Sequence, residues 1–264
     1  MFNKPMGIVD NLGVIYSSLV GSCDQFSNNH SGGKKMVNEM TASRCFSEGW
    51  NLIKDEYLPM VGISLCGLVL MYLLPVLLQG PVYCGMFVIL FDRMRGRQFS
   101  FERFFDGFNF FLPSLLVTII TLIPGLILTI VVVILVFVMA ASGAALEGDN
   151  LYGAIMGSIG LLAIVLIVGV VAVISFQILL SFALPLVVEE RLGPMDACRK
   201  SARAVGDNLG FVVGLVVIQS LLLLGGALLC GIGVLFAFPI VFASSAVAYR
   251  HIFGFDSTRN HPLI

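Results

Sequence analysis

Four stretches of the chain carry no charged side chain: residues 57–91, 107–146, 150–188 and 208–249. Each exceeds the roughly 20 residues that cross a hydrocarbon layer as an α-helix. Apolar residues run through them without the alternation of a transmembrane barrel. The blocks divide where the backbone bends most easily. In the first, "LPVLLQGPVY" holds Pro75, Gly80 and Pro81 and predicts a tight hairpin of two short spans. In the last, "LGGALLCGIG" (Gly225, Gly226, Gly231, Gly233) predicts a second hairpin. The central spans, Leu112 to Ala141 and Leu151 to Leu186, are joined by the small polar turn "SGAALEGDN", with Pro113, Pro124 and Pro185 as places to kink. The expected fold class is an all-α polytopic membrane protein with six transmembrane helices arranged as three hairpins.

Ahead of each hairpin stands a short segment with apolar residues at helical spacing. The first has Phe46, Trp50, Ile53 and Tyr57; the second has Phe101, Phe104, Phe105, Phe108 and Leu112. The third, "PMDACRKSARAVGDN", places Cys198, Ala202, Val205 and Leu209 on one face and Arg199, Lys200, Arg203 and Asp207 elsewhere. Such stripes predict amphipathic helices in the cytoplasmic interface, with Ser100 and Pro194 starting the second and third. The first two share a string, "FSEGWN" at 46–51 and "FFDGFN" at 104–109, and each hairpin ends in charge followed by glycine: "DRMRG", "EERLG" and "YRHIFG". The order of features predicts an internal repeat of three units, about 42–96, 99–193 and 194–254, related by an axis along the membrane normal.

Composition agrees with this division: 58% of the 264 residues are hydrophobic and 12% are charged, and the mean hydropathy is +0.99. All 15 Lys and Arg fall in the N-terminal region, residues 92–108, residues 189–208 and the end of the chain. With six crossings these four places share one side, which the positive-inside rule makes the cytoplasm. Both termini are then cytoplasmic, and the opposite loops hold only Glu147 and Asp149. Residues 1–41 contain no span: "LGVIYSSLVG" is too short, and "SNNHSGGKK" reads as disordered. "SGGKKM" also resembles a ribosome-binding site read in frame, which makes Met36 or Met40 a second candidate start. Residues 255–264 form a cytoplasmic tail.

The order "GP", "DRMRG", "FFDGF", then "ALPLVVEERLGPMDACRKSARAVGDN" and a closing "CGIG", "FP" and "AYRHIFG" resembles a loose group of uncharacterised bacterial multi-span proteins. That group is similar to the membrane domain attached to some glycerophosphoryl diester phosphodiesterases. The resemblance covers roughly residues 45–254 and implies the fold and a bacterial inner-membrane location. The chain outside the spans leaves no place for the soluble phosphodiesterase barrel, so no catalytic residue carries over.

Site chemistry adds little to this. His30, His251 and His261 fall in the end regions without partners at metal spacing, and Cys23, Cys45, Cys66, Cys84, Cys198 and Cys230 are scattered. The expectation is no enzyme, no metal, no cofactor and no nucleic acid. Arg93, Arg95, Arg97, Arg103, Arg191, Arg199, Lys200 and Arg203 are candidate contacts for lipid headgroups, interleaved with acids such as Asp92, Asp106, Glu189 and Glu190. Gln177 and Gln219 are candidate intramembrane polar contacts, and "GAIMGSIG" and "GGALLCGIG" allow close helix packing or self-association. The expected role is a non-enzymatic scaffold or accessory subunit of a membrane complex, whose partners are membrane lipids and a membrane protein or a second copy. The alternative is a transporter or lipid-handling protein, which requires a polar cavity lined by Gln177 and Gln219.

Overall fold

The computed structural model describes residues 41–144, 149–228 and 232–254. The N-terminal segment with its two candidate starts, the 255–264 tail and Glu147 lie outside the described residues. Every described element is helical. In chain order they are α1 (Ala42–Ile53), α2 (Tyr57–Leu73), α3 (Pro75–Met94), α4 (Glu102–Phe105), α5 (Phe111–Ala144), α6 (Asp149–Leu179), α7 (Ala183–Glu190), α8 (Pro194–Asp207), α9 (Leu209–Leu228) and α10 (Ile232–Phe253). Short 3-10 turns at Lys54–Glu56 and Asp106–Phe110 connect α1 to α2 and α4 to α5. Among the described residues six helical segments are long and apolar enough to cross a membrane: Ala42–Leu73, Pro75–Met94, Glu102–Ala141, Met156–Glu190, Leu209–Leu228 and Gly233–Phe253.

Local chemistry sets the helix ends. Pro75 and Pro194 occupy the first turns of α3 and α8, where a missing N–H leaves no bond unmade. Gly96 and Gly254, both at φ 75°, end α3 and α10 in the left-handed conformation that a residue without Cβ adopts freely. The third charged exit does this differently: Arg191, at φ 52°, takes the left-handed position two residues before Gly193. Ser100 does not start the second segment's helix; Phe101 caps it, and the helix is a single turn followed by 3-10. Pro124 sits inside an unbroken α5, whereas the return span breaks after Leu179 and resumes at Ala183, two residues before Pro185.

The expected apolar stripes bury only in part. Phe46 and Ile53 of α1 are buried, as is Phe104 of α4, while Phe101, Phe105 and Leu112 are exposed. In α8 the inner face is Ala197, Cys198, Ser201 and Val205; Leu209 already belongs to α9 and is exposed.

Helix α2 packs on α3, α5 on α6, and α9 on α10. The short connecting helices tie these pairs together. Helix α1 crosses α10 so closely that a Cβ on Gly49 would stand 2.7 Å from the Ser244 nitrogen. Gly107, at the matching place in the second string, lies against the backbone of Gly85 and Pro81 on α3. Ser201 of α8 accepts a hydrogen bond from the Phe182 N–H (3.2 Å) and donates one to the Leu179 carbonyl (2.8 Å). Each of these junctions brings backbone or small side chains together, so the crossings exclude larger residues.

The hydrophobic core occupies one end of the molecule. On α5 the last side chain packed against it is Ile120, and on α6 the first is Phe176. Between them, among the described residues, neither helix packs a side chain on that core, and partly buried positions line a seam of the pair that includes Thr121, Leu128, Val132 and Leu135 on α5 and Leu162, Val165 and Gly169 on α6. Gly169 admits Leu128 at this seam. The remaining faces, with Ile127, Ile134, Phe137, Ile164 and Val171 among them, are exposed.

Candidate functional site

Charged residues gather where α3, α7 and α10 end, and most of them hold one another. Asp92 is buried, with Arg97 Nη1 donating to its Oδ1 at 2.9 Å and Arg103 Nε standing 3.2 Å from Oδ2. Arg103 also donates to Asp106 at 2.8 Å. Arg93 pairs with Glu56 at 3.3 Å and reaches the Leu52 carbonyl. Lys200 pairs with Glu190 and lies 5.7 Å above the Phe253 ring. Arg250 donates to Glu48 at 2.8 Å, which joins the two ends of the described chain. The deepest pair is Arg95 with Glu189, whose side chains are only 9% and 8% exposed.

The eight cations singled out from the sequence therefore divide. Arg93, Arg95, Arg97, Arg103 and Lys200 are engaged by carboxylates of this chain. Arg191, Arg199 and Arg203 are exposed and have no ion pair among the described residues. Arg199 and Arg203 stand one helical turn apart on α8, beside exposed Met195, with exposed Asp196 and Asp207 on the same helix. Cys198 faces inward from α8, and burial pushes its thiol pKa up.

The two glutamines also part company. Gln219 sits between α9 and α10, its Nε2 2.9 Å from both the Ser244 and Ser245 hydroxyls and 3.2 Å from the Val241 carbonyl. Gln177 is exposed on α6 and makes no hydrogen bond among the described residues. They do not share a network. Interhelical bonds of this kind contribute about 0.6 kcal/mol each on average. Gln219→Leu is therefore expected to lower stability by about 1–2 kcal/mol, seen as an earlier denaturant midpoint in detergent, and Gln177→Leu to leave that midpoint unchanged.

Sequence reasoning did not find the buried Arg95–Glu189 pair, the Glu48–Arg250 pair, or the bond from the Tyr57 hydroxyl to the Phe236 carbonyl at 2.6 Å. The charges were visible, but nothing in their spacing names partners 94, 202 and 179 positions away.

Six long apolar helices beneath a cross-linked charged end define a multi-pass helical membrane protein. Within that class, the chain belongs to a family of unknown function, DUF7544, whose model matches residues 11–257. No curated protein and no solved structure matches it. The family match carries no link to the membrane domain of glycerophosphoryl diester phosphodiesterases.

Proposed function

We propose that this protein is a non-enzymatic scaffold or accessory subunit of a bacterial inner-membrane complex, with both termini and the charged end in the cytoplasm. Its architecture in this proposal is three hairpins, α2–α3, α5–α7 and α9–α10, each led by an amphipathic segment, α1, α4 and α8. The likeness to the phosphodiesterase membrane domain belongs to the same proposal and concerns the fold alone. One observation carries it: polar groups hold the hairpins to one another. Glu48–Arg250, Asp92–Arg103 and Glu190–Lys200 each tie a leading segment to the end of a neighbouring hairpin, so the three junctions close a ring. Gln219 likewise serves helix contact and lines no path with Gln177. Native mass spectrometry of the protein drawn gently from its own membrane tests this. A specific protein partner supports the scaffold; repeated recovery with small molecules alone counts against it.

A second reading, lipid handling, is favoured by Arg191, Arg199 and Arg203, which remain available at the end of the spans. A basic side chain near an anionic surface contributes about 1 kcal/mol, and Asp196 and Asp207 reduce the sum. The Arg199→Gln, Arg203→Gln double variant is expected to retain several-fold less phosphatidylglycerol in the mass spectrum, while Arg97→Gln, altering an internally paired cation, retains as much as the parent. Equal retention by all three proteins would remove this reading.

A further inference from the structure

One amide within the spans has no partner in its own chain. Gln177 is exposed on α6 and makes no hydrogen bond among the described residues. At 1.5 Å per residue it lies ~18 Å along the helix from Glu189 of the charged end, well inside a hydrocarbon layer of about 30 Å. At that depth a carboxamide reaches neither water nor headgroups, and leaving it unbonded is costly. Gln219 shows how this chain satisfies such a group, through hydroxyls and a carbonyl of the neighbouring helix. A hydroxyl can bond within its own helix instead, as Ser175 does by donating to the Val171 carbonyl at 2.8 Å.

The surface around Gln177 has the form of a helix contact. Gly160, Ala163, Ile167, Val170, Ile174 and Gln177 follow one another in alternating steps of three and four, and all are exposed. They lie on the side of α6 turned away from its seam with α5. Steps averaging about 3.5 keep two helices in contact along their length at a crossing angle of about +20°. A Cβ on Gly160 would meet nothing within 4 Å, and together with Ala163 it leaves room for a second backbone to approach.

We infer that this stripe packs against the same stripe of a second copy, with the two Gln177 amides bonded to each other across a two-fold axis along the membrane normal. Copies inserted in one orientation hold equivalent residues of α6 at equal depth, so the stripe meets itself in register. A carboxamide carries both donors and an acceptor, and is therefore its own complement. A different partner would need a polar group of its own at that one depth. The inference rests on the membrane assignment and deepens the scaffold reading by naming a second copy as one of its contacts.

The test is single-molecule photobleaching of the purified, fluorescently tagged protein in vesicles of phosphatidylethanolamine and phosphatidylglycerol, at increasing dilution in lipid. The parent is expected to bleach in pairs, and Gln177→Leu to fall to single molecules at several-fold less dilution. Gln177→Asn keeps the amide and should keep most of the pairing, and Ser175→Ala should pair as the parent does. Because Gln177 bonds nothing in its own chain, its replacement leaves the fold intact, and a loss of pairs is not a loss of folding. Single molecules for the parent at every dilution, or pairs that survive Gln177→Leu, overturn the inference. Replacing Ile174 by the photoreactive benzoylphenylalanine separates the occupants in the native membrane: an adduct of twice the chain's mass supports the pair, and an adduct with a different protein overturns it. Protein that does not float with the vesicles fails the membrane assignment, and the inference with it.

Discussion

Gly107→Val is expected to prevent the protein from folding into a monodisperse species, with a loss of at least about 4 kcal/mol, at the severe end for a single substitution. Gly107 lies in the 3-10 turn after α4, and a Cβ there would fall on the nitrogen and Cα of Gly85 and within 2.5 Å of the Pro81 carbonyl. Overpacked side chains find relief by rotating, but these obstacles are backbone atoms of α3, so one element must move off the other. Moving it would strip Phe104 from its buried site and loosen Arg103 from Asp92. Gly49→Val repeats the experiment at the α1–α10 crossing, against the backbone of Ala243 and Ser244. Gly125→Val is the control, because nothing stands within 4 Å of its Cβ position; it should cost little at that seam edge. Size-exclusion profiles and thermal midpoints of the three variants, made in one detergent, provide the comparison. A Gly107→Val protein as stable as the Gly125→Val protein would mean that α4 does not rest on α3 as described.

These glycines also mark how far the sequence could be read. The repeated string drew attention to Phe, acid, Gly, aromatic and Asn, and the spacing told of helices near the ends of spans. Why the glycine recurs was not legible, because its reason is the backbone of another helix. The six apolar segments were legible from the charge-free blocks, since absence of charge over such lengths depends on no partner. The lengths of α5 and α6 were visible too, but the end of core packing at Ile120 and Phe176 was not, as an apolar face reads alike against lipid and against protein. Among the cations, Arg95 and Arg199 look alike in the sequence. One is buried against Glu189 and the other stands on an exposed helix face, a distinction fixed by tertiary packing.

Arg95→Ala is the second large effect, a loss of about 3–5 kcal/mol. Arg95 and Glu189 join the ends of α3 and α7, and both are nearly sealed from water. Removing the guanidinium leaves the carboxylate in a poorly solvating site, where most of the cost arises from the surviving charge and less from the bond lost. That argument separates the variants. Glu189→Gln with Arg95 retained strands a buried cation and should also be costly. Arg95→Met with Glu189→Met removes both charges at similar volume, and should recover most of the stability lost in either single variant. The surface pair Glu48–Arg250, about two-fifths exposed on each side, provides the contrast: Arg250→Ala is expected to cost under about 1 kcal/mol, less at high salt. Denaturation midpoints at low and high salt distinguish the two pairs. An Arg95→Ala loss that is small and salt-screened would show that water reaches Glu189, and that α3 and α7 are not closed together at their charged ends.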